Sequence, residues 1–598
     1  MEIGQEFETA VSLHKAGKLE AASDLIEKII GSADPNADFY HLAALIKKSQ
    51  HDFNNSEKFF KKSLDIIPKQ PVVMSNFANL LKIMNRLKEA NQLYTSACKI
   101  MPSFFDAWLN RANLCLETND YETAEGCFLE ALRLKPDASV ALKLMNLYLM
   151  TSQYHKLLTE SHSFIERYTR NTQGYINQSR ALAVLESTDV ALKFLEQAKE
   201  LVDESAEIEH EIGLINYELG KFDLAKNNLN KAVSQAPEFI NAHRTLNELY
   251  FQSNDGEFLS SYKHAIQRKP ASELLFHNLA AAQSSSGDIE SAMRTLEIAL
   301  NKVGRTPYLQ HGLGALYVRT KEYEKAESLF NDALELQPNN VRFLLDQISL
   351  FIKQSNYDCQ NLLDRAFNLH KFNQETWAYQ GLLWRLLKDE RYQWLYNYDS
   401  FLKELELSTP PSHSSIQLFM KDLNDYLGTL HVSHKQPLDQ SVQGGTQTMG
   451  VLFDDLHKLV NDFKNSLQES VTDYLSSLCY DSEHPFLSRL GDNFRFSGSW
   501  SVKLKKSGHH NNHVHPFGWL SCCSYISLPD TSENEGCIKF GETSLKLGEK
   551  EETARFIQPE VGKCVFFPSY FWHGTVPFSS DSSRVTIPCD IDPVLLMN

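Results

Sequence analysis

Proline recurs along this chain with a nearly constant step. Pro35, Pro68, Pro102 and Pro136 are spaced by 33, 34 and 34 residues, and the phase returns at Pro237, Pro270 and Pro338. Small residues hold the same phase. Ala97, Ala131, Ala232, Ala265 and Ala333 stand five residues before their proline, and Ala124, Ala225 and Ala326 stand twelve before. In Asn119–Ala124, Gly220–Ala225 and Lys321–Ala326 a turn is followed by an aromatic (Tyr121, Phe222, Tyr323) and then by the alanine. Two short antiparallel helices in about 34 residues pack closely only where small side chains sit at the crossing points. Proline then ends the second helix, because it cannot continue the hydrogen-bond ladder. One such unit cannot bury its apolar face alone, so units must stack. The aromatics occupy a packing position in this scheme.

The pattern resembles the tetratricopeptide repeat family over roughly residues 1–390. It fades over 150–205 and 340–390, where helical periodicity persists and degenerate units are expected. The resemblance implies a superhelix whose concave surface grips a peptide or partner protein, and no chemistry of its own.

The 598 residues together exceed what one core holds, so two or more domains are expected. The formal net charge of −17 argues against nucleic-acid partners and anionic membranes. No apolar run is long enough to span a bilayer. The start, Met1-Glu2-Ile3-Gly4-Gln5-Glu6, lacks the character of a signal peptide. Ten cysteines without a Cys-x-x-Cys pair fit reduced thiols in a cytoplasmic protein.

Three segments are expected: repeats over 1–405, a linker and connecting helix over 406–430, and a second domain over 431–598. The Pro/Ser-rich stretch Leu407–Ser415 reads as the linker, and Trp377, Trp384 and Trp394 before it mark a last repeat or a cap. His431–Gly450, with Gly444-Gly445, reads as a turn or loop. Leu452, Leu456, Leu459, Phe463, Leu467, Val471, Tyr474 and Leu478 predict a helix buried against a sheet. From Phe494 the pattern alternates, and further short strands are expected over 520–528, 537–540, 563–567 and 585–589. Many short strands without crossover helices indicate an antiparallel sandwich or barrel.

The candidate chemistry lies on these strands. In an extended His513-Val514-His515 both imidazoles face one side. His573 follows 58 residues after His515, within reach once strands pair across a barrel. Three nitrogen donors on one side leave open positions of the kind a catalytic iron needs. Arg584, eleven residues further on, suits a carboxylate from the next strand. Trp519, Phe567 and Phe571 are candidates for excluding water. His509 and His510 belong to the same histidine-rich stretch, where solvated or hydrogen-bonded rings are the competing interpretation. Cys522-Cys523 reads as a pair of buried thiols.

These residues resemble the 2-oxoglutarate- and Fe(II)-dependent oxygenases, with a double-stranded β-helix (jelly-roll, cupin-like) core. The resemblance covers roughly 430–598 and is strongest over 494–590. It implies an α+β domain in which His513 and His573 hold Fe(II), Arg584 binds the far carboxylate of 2-oxoglutarate, and Tyr525 adds a second contact. It further implies oxygen-dependent hydroxylation of a C–H bond, with the repeats recruiting the substrate. One departure stands out: position 515 is His where the broad family has a carboxylate. Three outcomes stay open there: a hydroxylase with His515 as third ligand, a three-histidine dioxygenase or halogenase, or an inactive repeat scaffold.

Overall fold

The computed structural model describes residues 2–34, 36–491 and 493–594. Pro35 and residues 595–598 of the expected second domain lie outside the described residues. Contacts divide the chain into two compact units, Met1–Ala181 and Leu182–Pro593.

The first unit is a stack of helical hairpins, among them Phe53–Ile66 after Ala37–Ser49, and Tyr121–Leu134 after Phe105–Glu117. The helices Phe53–Ile66, Leu87–Ile100 and Tyr121–Leu134 each stop two residues before their phased proline. Ala97, Ala124 and Ala131 have no exposed surface, as close crossing requires. Asp120 caps its helix by accepting the Thr123 N–H.

In the second unit the hairpins continue through Ala206–Glu218 and Phe222–Gln235, Ile240–Gln252 and Ser260–Arg268, Glu273–Ser285 and Ile289–Val303, and Pro307–Arg319 and Tyr323–Leu336. Helices persist where the phase is lost, as Thr188–Leu201, Val341–Lys353, Gln360–Leu369 and Gln374–Leu387. The tryptophan-bearing end of this series packs on the strands that follow. Trp572 Nε1 donates to the Ala378 carbonyl at 3.4 Å, and the Tyr396 hydroxyl donates to the Tyr570 carbonyl at 2.8 Å.

The strands are β1 (Lys403–Glu406), β2 (Val442–Gln447), β3 (Phe494–Ser499), β4 (Val502–His510), β5 (Leu520–Ser527), β6 (Ile538–Phe540), β7 (Arg555–Ile557), β8 (Lys563–Pro568), β9 (His573–Thr575) and β10 (Arg584–Pro593). The larger sheet runs β1-β8-β5-β10-β4-β2 with β3 also on β10, and the smaller runs β7-β6-β9. Every pairing is antiparallel, compatible with the expected jelly-roll core.

Three expectations change in detail. Residues 442–447 are strand β2, paired with β4, where a loop was expected. Gly444 (φ +66) sits at a register shift, and a Cβ on Gly445 would fall 2.6 Å from the Lys503 carbonyl oxygen. Glycines needed for a bulge and a close approach disguise the strand. The apolar stripe after it yields a helix only over Lys458–Ser476; Leu452 sits in a separate single turn and Leu456 is exposed. That helix does pack on the sheet, with Tyr474 stacked 5.2 Å from Phe566. Finally, the alternation from Phe494 breaks at Trp500-Ser501, giving β3 and β4, which pair with successive parts of β10. Between Leu407 and β2, the helix Ile416–Leu430 buries Phe419, Met420, Leu423 and Leu427.

Candidate metal centre

His513 follows β4, and His573 opens β9. Their peptide groups exchange hydrogen bonds: the His513 N–H donates to the His573 carbonyl at 2.9 Å, and the reverse bond measures 3.0 Å. The His515 N–H donates to the Ser569 carbonyl at 3.0 Å. These backbone bonds bring three imidazoles together. Ring centroids lie 4.3 Å apart for His513 and His573, 5.2 Å for His513 and His515, and 5.1 Å for His515 and His573. One donor atom from each lies within 4.8 Å of the other two.

Each ring has a hydrogen-bond partner on its Nδ1 side. His513 Nδ1 lies 2.8 Å from the Asn511 carbonyl, His573 Nδ1 lies 2.9 Å from the Phe571 carbonyl, and His515 Nδ1 lies 2.5 Å from Asp590 Oδ1. A carbonyl or carboxylate only accepts, so Nδ1 carries the proton and Nε2 keeps its lone pair. Such outer partners orient metal-binding histidines.

Electrostatics point the same way for His513 and His573 and the opposite way for His515. Burial, followed by the neighbouring His515, depresses His513 to about 3. Burial, followed by His513 and His515, holds His573 well below its usual value. Burial alone would lower His515, but the Asp590 carboxylate reverses that and raises it. Burial opposes the charge on Asp590, and His515 offsets it, so the carboxyl stays below the usual range. A neutral imidazole is the form that binds a metal.

Asp590 is the residue that the sequence reading missed. It also accepts the Ser521 hydroxyl at 2.8 Å. Its signal was its place six residues after Arg584 on one strand, which puts the two on the same face. Both line a cavity of about 350 Å³ together with the three histidines.

Arg584 is 1% exposed. Its guanidinium stands 5.3 Å over the Tyr525 ring. Among the described residues it forms no ion pair, and its Nε has no hydrogen-bond partner. The Tyr525 and Thr586 hydroxyls are likewise buried without partners and are opposite one another in the β10–β5 register, whereas the unpartnered Ser524 hydroxyl belongs to the other face of β5. A buried, unpaired guanidinium is costly, so this cluster suits an anion with several acceptor oxygens. Arg584 is on the cavity wall; Tyr525 is not.

The other candidates separate. His510 lines the cavity, and its ring centroid lies 6.0 Å from that of His513, whereas His509 faces elsewhere with Nδ1 near the Ser507 carbonyl. Phe567 is on the cavity wall, 4.6 Å from the His573 ring. Trp519 and Phe571 are not; they belong to the core, against Phe486 and Tyr396. Cys522 and Cys523 reach the wall, but burial pushes Cys523 up to about 11 and Cys522 well above its usual value. All ten cysteines are free thiols. No helix among the described residues is long and apolar enough to cross a membrane.

Comparison with known proteins agrees with this two-part plan. A family profile described as "Putative 2OG-Fe(II) oxygenase" matches residues 498–590. Tetratricopeptide-repeat profiles match 37–70, 105–138, 206–239 and 307–340. The chain thus carries tetratricopeptide repeats followed by a domain of that oxygenase family. Curated relatives include the Hsp70-Hsp90 organizing protein of Triticum aestivum, 25% identical over 259 residues, and Hsp70-Hsp90 organizing protein 1 of Glycine max, 26% identical over 250 residues. Each match covers 41% of this chain and 43% of the relative, so the chain spans less than half the length of these proteins. Among solved structures, yeast Tom70 is similar at 15% identity and a TM-score of 0.34, covering 66% of this chain and 97% of that one.

Proposed function

We propose that this protein is a 2-oxoglutarate- and Fe(II)-dependent oxygenase, in the manner of a hydroxylase. The observation that carries the reading is the set of three imidazoles with their Nδ1 atoms engaged and their Nε2 atoms free. His513, His515 and His573 would hold Fe(II). Arg584 would bind the far carboxylate of 2-oxoglutarate, and its lack of an ion-pair partner supports that role. Tyr525 would stand by as a further donor, supported by its unpartnered hydroxyl. With these groups and O2 bound, the site would supply oxidative decarboxylation of the 2-oxo acid to succinate and CO2, one oxygen atom of O2 entering succinate and the other the hydroxylated C–H bond.

The residues do the remaining work. Asp590 keeps the proton of His515 on Nδ1 and restores next to the ring the negative charge that a carboxylate ligand would have carried. Phe567 covers the His573 side of the cavity, its ring 4.6 Å from the imidazole. The repeats would recruit a protein or peptide, in keeping with the relatives named as Hsp70-Hsp90 organizing proteins. The net charge of −17 speaks against nucleic acid as that partner. Free buried thiols are in keeping with a cytoplasmic setting.

The test is an anaerobic titration with Fe(II) and then 2-oxoglutarate, followed by succinate measurement in air. A visible charge-transfer band and succinate release are expected, and both are absent in the His513→Ala/His573→Ala variant. Iron uptake without a 2-oxoglutarate band would favour a three-histidine dioxygenase instead. A wild-type chain that takes up no iron would leave the repeat scaffold.

A further inference from the structure

Within the second unit, residues 432–441 run along three consecutive repeats before reaching the cavity. Val432 faces Gly220, where a Cβ would come within 3.6 Å of it. His434 meets Phe222 edge-on at 6.3 Å, and the Lys435 ammonium stands 5.1 Å over the Phe251 ring. The Leu438 side chain joins the apolar cluster around Tyr262 and Leu279. Its N–H donates to both carboxylate oxygens of Glu248 at 3.2 Å. Asp439 accepts the Ser285 hydroxyl. Gly220, Glu248 and Ser285 all stand at or close to the C-terminal ends of Ala206–Glu218, Ile240–Gln252 and Glu273–Ser285. The segment therefore meets the same edge of successive repeats.

Its far end belongs to the cavity. Asp439, Gln440 and Ser441 form part of the wall. The Ser441 hydroxyl lies 3.0 Å from His510 Nδ1, and the Ser441 carbonyl accepts the Asn511 N–H at 2.9 Å, two residues before His513.

Glu248 is itself fixed. The Tyr217 hydroxyl donates to Gln252 Oε1, and Gln252 Nε2 donates to Glu248 Oε1, each at 2.6 Å. Two consecutive repeats thus aim one carboxylate at one strap amide, and a charge-assisted bond of this kind is among the stronger ones. Just beyond Leu438 the Asp439–Ser285 bond continues the contact, and Met449 packs again on the cluster around Tyr217, so the anchor lies next to the wall it positions.

We propose that residues 432–441 are a strap by which the repeats set the rim of the cavity, with Glu248 as its positioning residue. This edge of the three repeats is then occupied by the chain itself. A docking peptide must use other surfaces of the array or displace the strap. That the rim belongs to a reactive site rests on the oxygenase reading; the strap and its anchor do not.

Hydrogen exchange on the full chain tests this with Glu248→Ala, Glu248→Gln and Leu438→Ser. In Glu248→Ala and Leu438→Ser, the amides of 438–441 and of Asn511 should exchange at least about tenfold faster, with β5 and the helix Ile240–Gln252 unchanged. Glu248→Gln should recover most of the protection, because its amide oxygen still accepts the Leu438 N–H. Unchanged protection at 438–441 in both disruptive variants would overturn the proposal. So would a loss spread evenly over β5 and the helix, or a Gln variant no better than Ala. Iron uptake measured on the same samples separates failure of the oxygenase reading from failure of the strap.

Discussion

In the hairpin Phe105–Glu117 and Tyr121–Leu134, what holds the fold lies close in sequence. Asp120 caps its own helix, and Ala124 and Ala131 let it approach the helix just before it. The sheet domain is assembled from distant pieces. Lys403 pairs with Phe566, His513 with His573, and His515 with Asp590, 75 residues away. The repeats therefore carry their instructions in a local period, while the cavity exists only after far strands have found their register. Damage should follow suit: a change in a repeat should weaken stability and spare the site, and a change in the site should spare stability.

The largest effect is expected at the carboxylate behind His515. Asp590→Asn keeps the size but removes the charge, and should weaken Fe(II) binding about 10–100-fold with little change in the urea midpoint. A midpoint shift without a binding change would erase the contrast. Next, Ala124→Leu forces a large side chain into a closed crossing and should cost the first unit about 1–3 kcal/mol in urea unfolding, with iron uptake unaltered. The smallest effect concerns His431, whose ring lies between the Thr446 and Ser501 hydroxyls at 2.8 and 3.0 Å. Burial, followed by Lys503, lowers it to about 4. Because the folded value lies below the unfolded one, the unfolded chain takes up the proton first as pH falls. This contribution to stability is fully present above about 6.5 and is lost towards pH 4. His431→Gln should flatten that part of the pH–stability curve; an unchanged slope would place the titration elsewhere.

Legibility in the sequence follows the same divide. The phased prolines and alanines marked the helix ends to within two residues, because each acts on its own turn of chain. The His-x-His pair was readable since extended backbone alternates sides, and His573 entered through its spacing and the motif it resembles; the three rings do meet. Strand β2 was hidden because its glycines serve a bulge and a close approach that only the partner strand explains. Asp590 was passed over because its partner is a ring on another segment, and an acid in a strand announces nothing until the neighbouring side chain is known. The strap was invisible for a similar reason: a polar stretch without periodicity takes its path from the surface it lies on.

The reciprocal hydrogen bonds between the peptide groups of His513 and His573 tie one pair of imidazoles to the seam between segments of main chain. That seam works as a caliper. The main chain on either side of the gap between the two rings cannot part without breaking the seam, so any change in the distance between them must come from side-chain torsions alone.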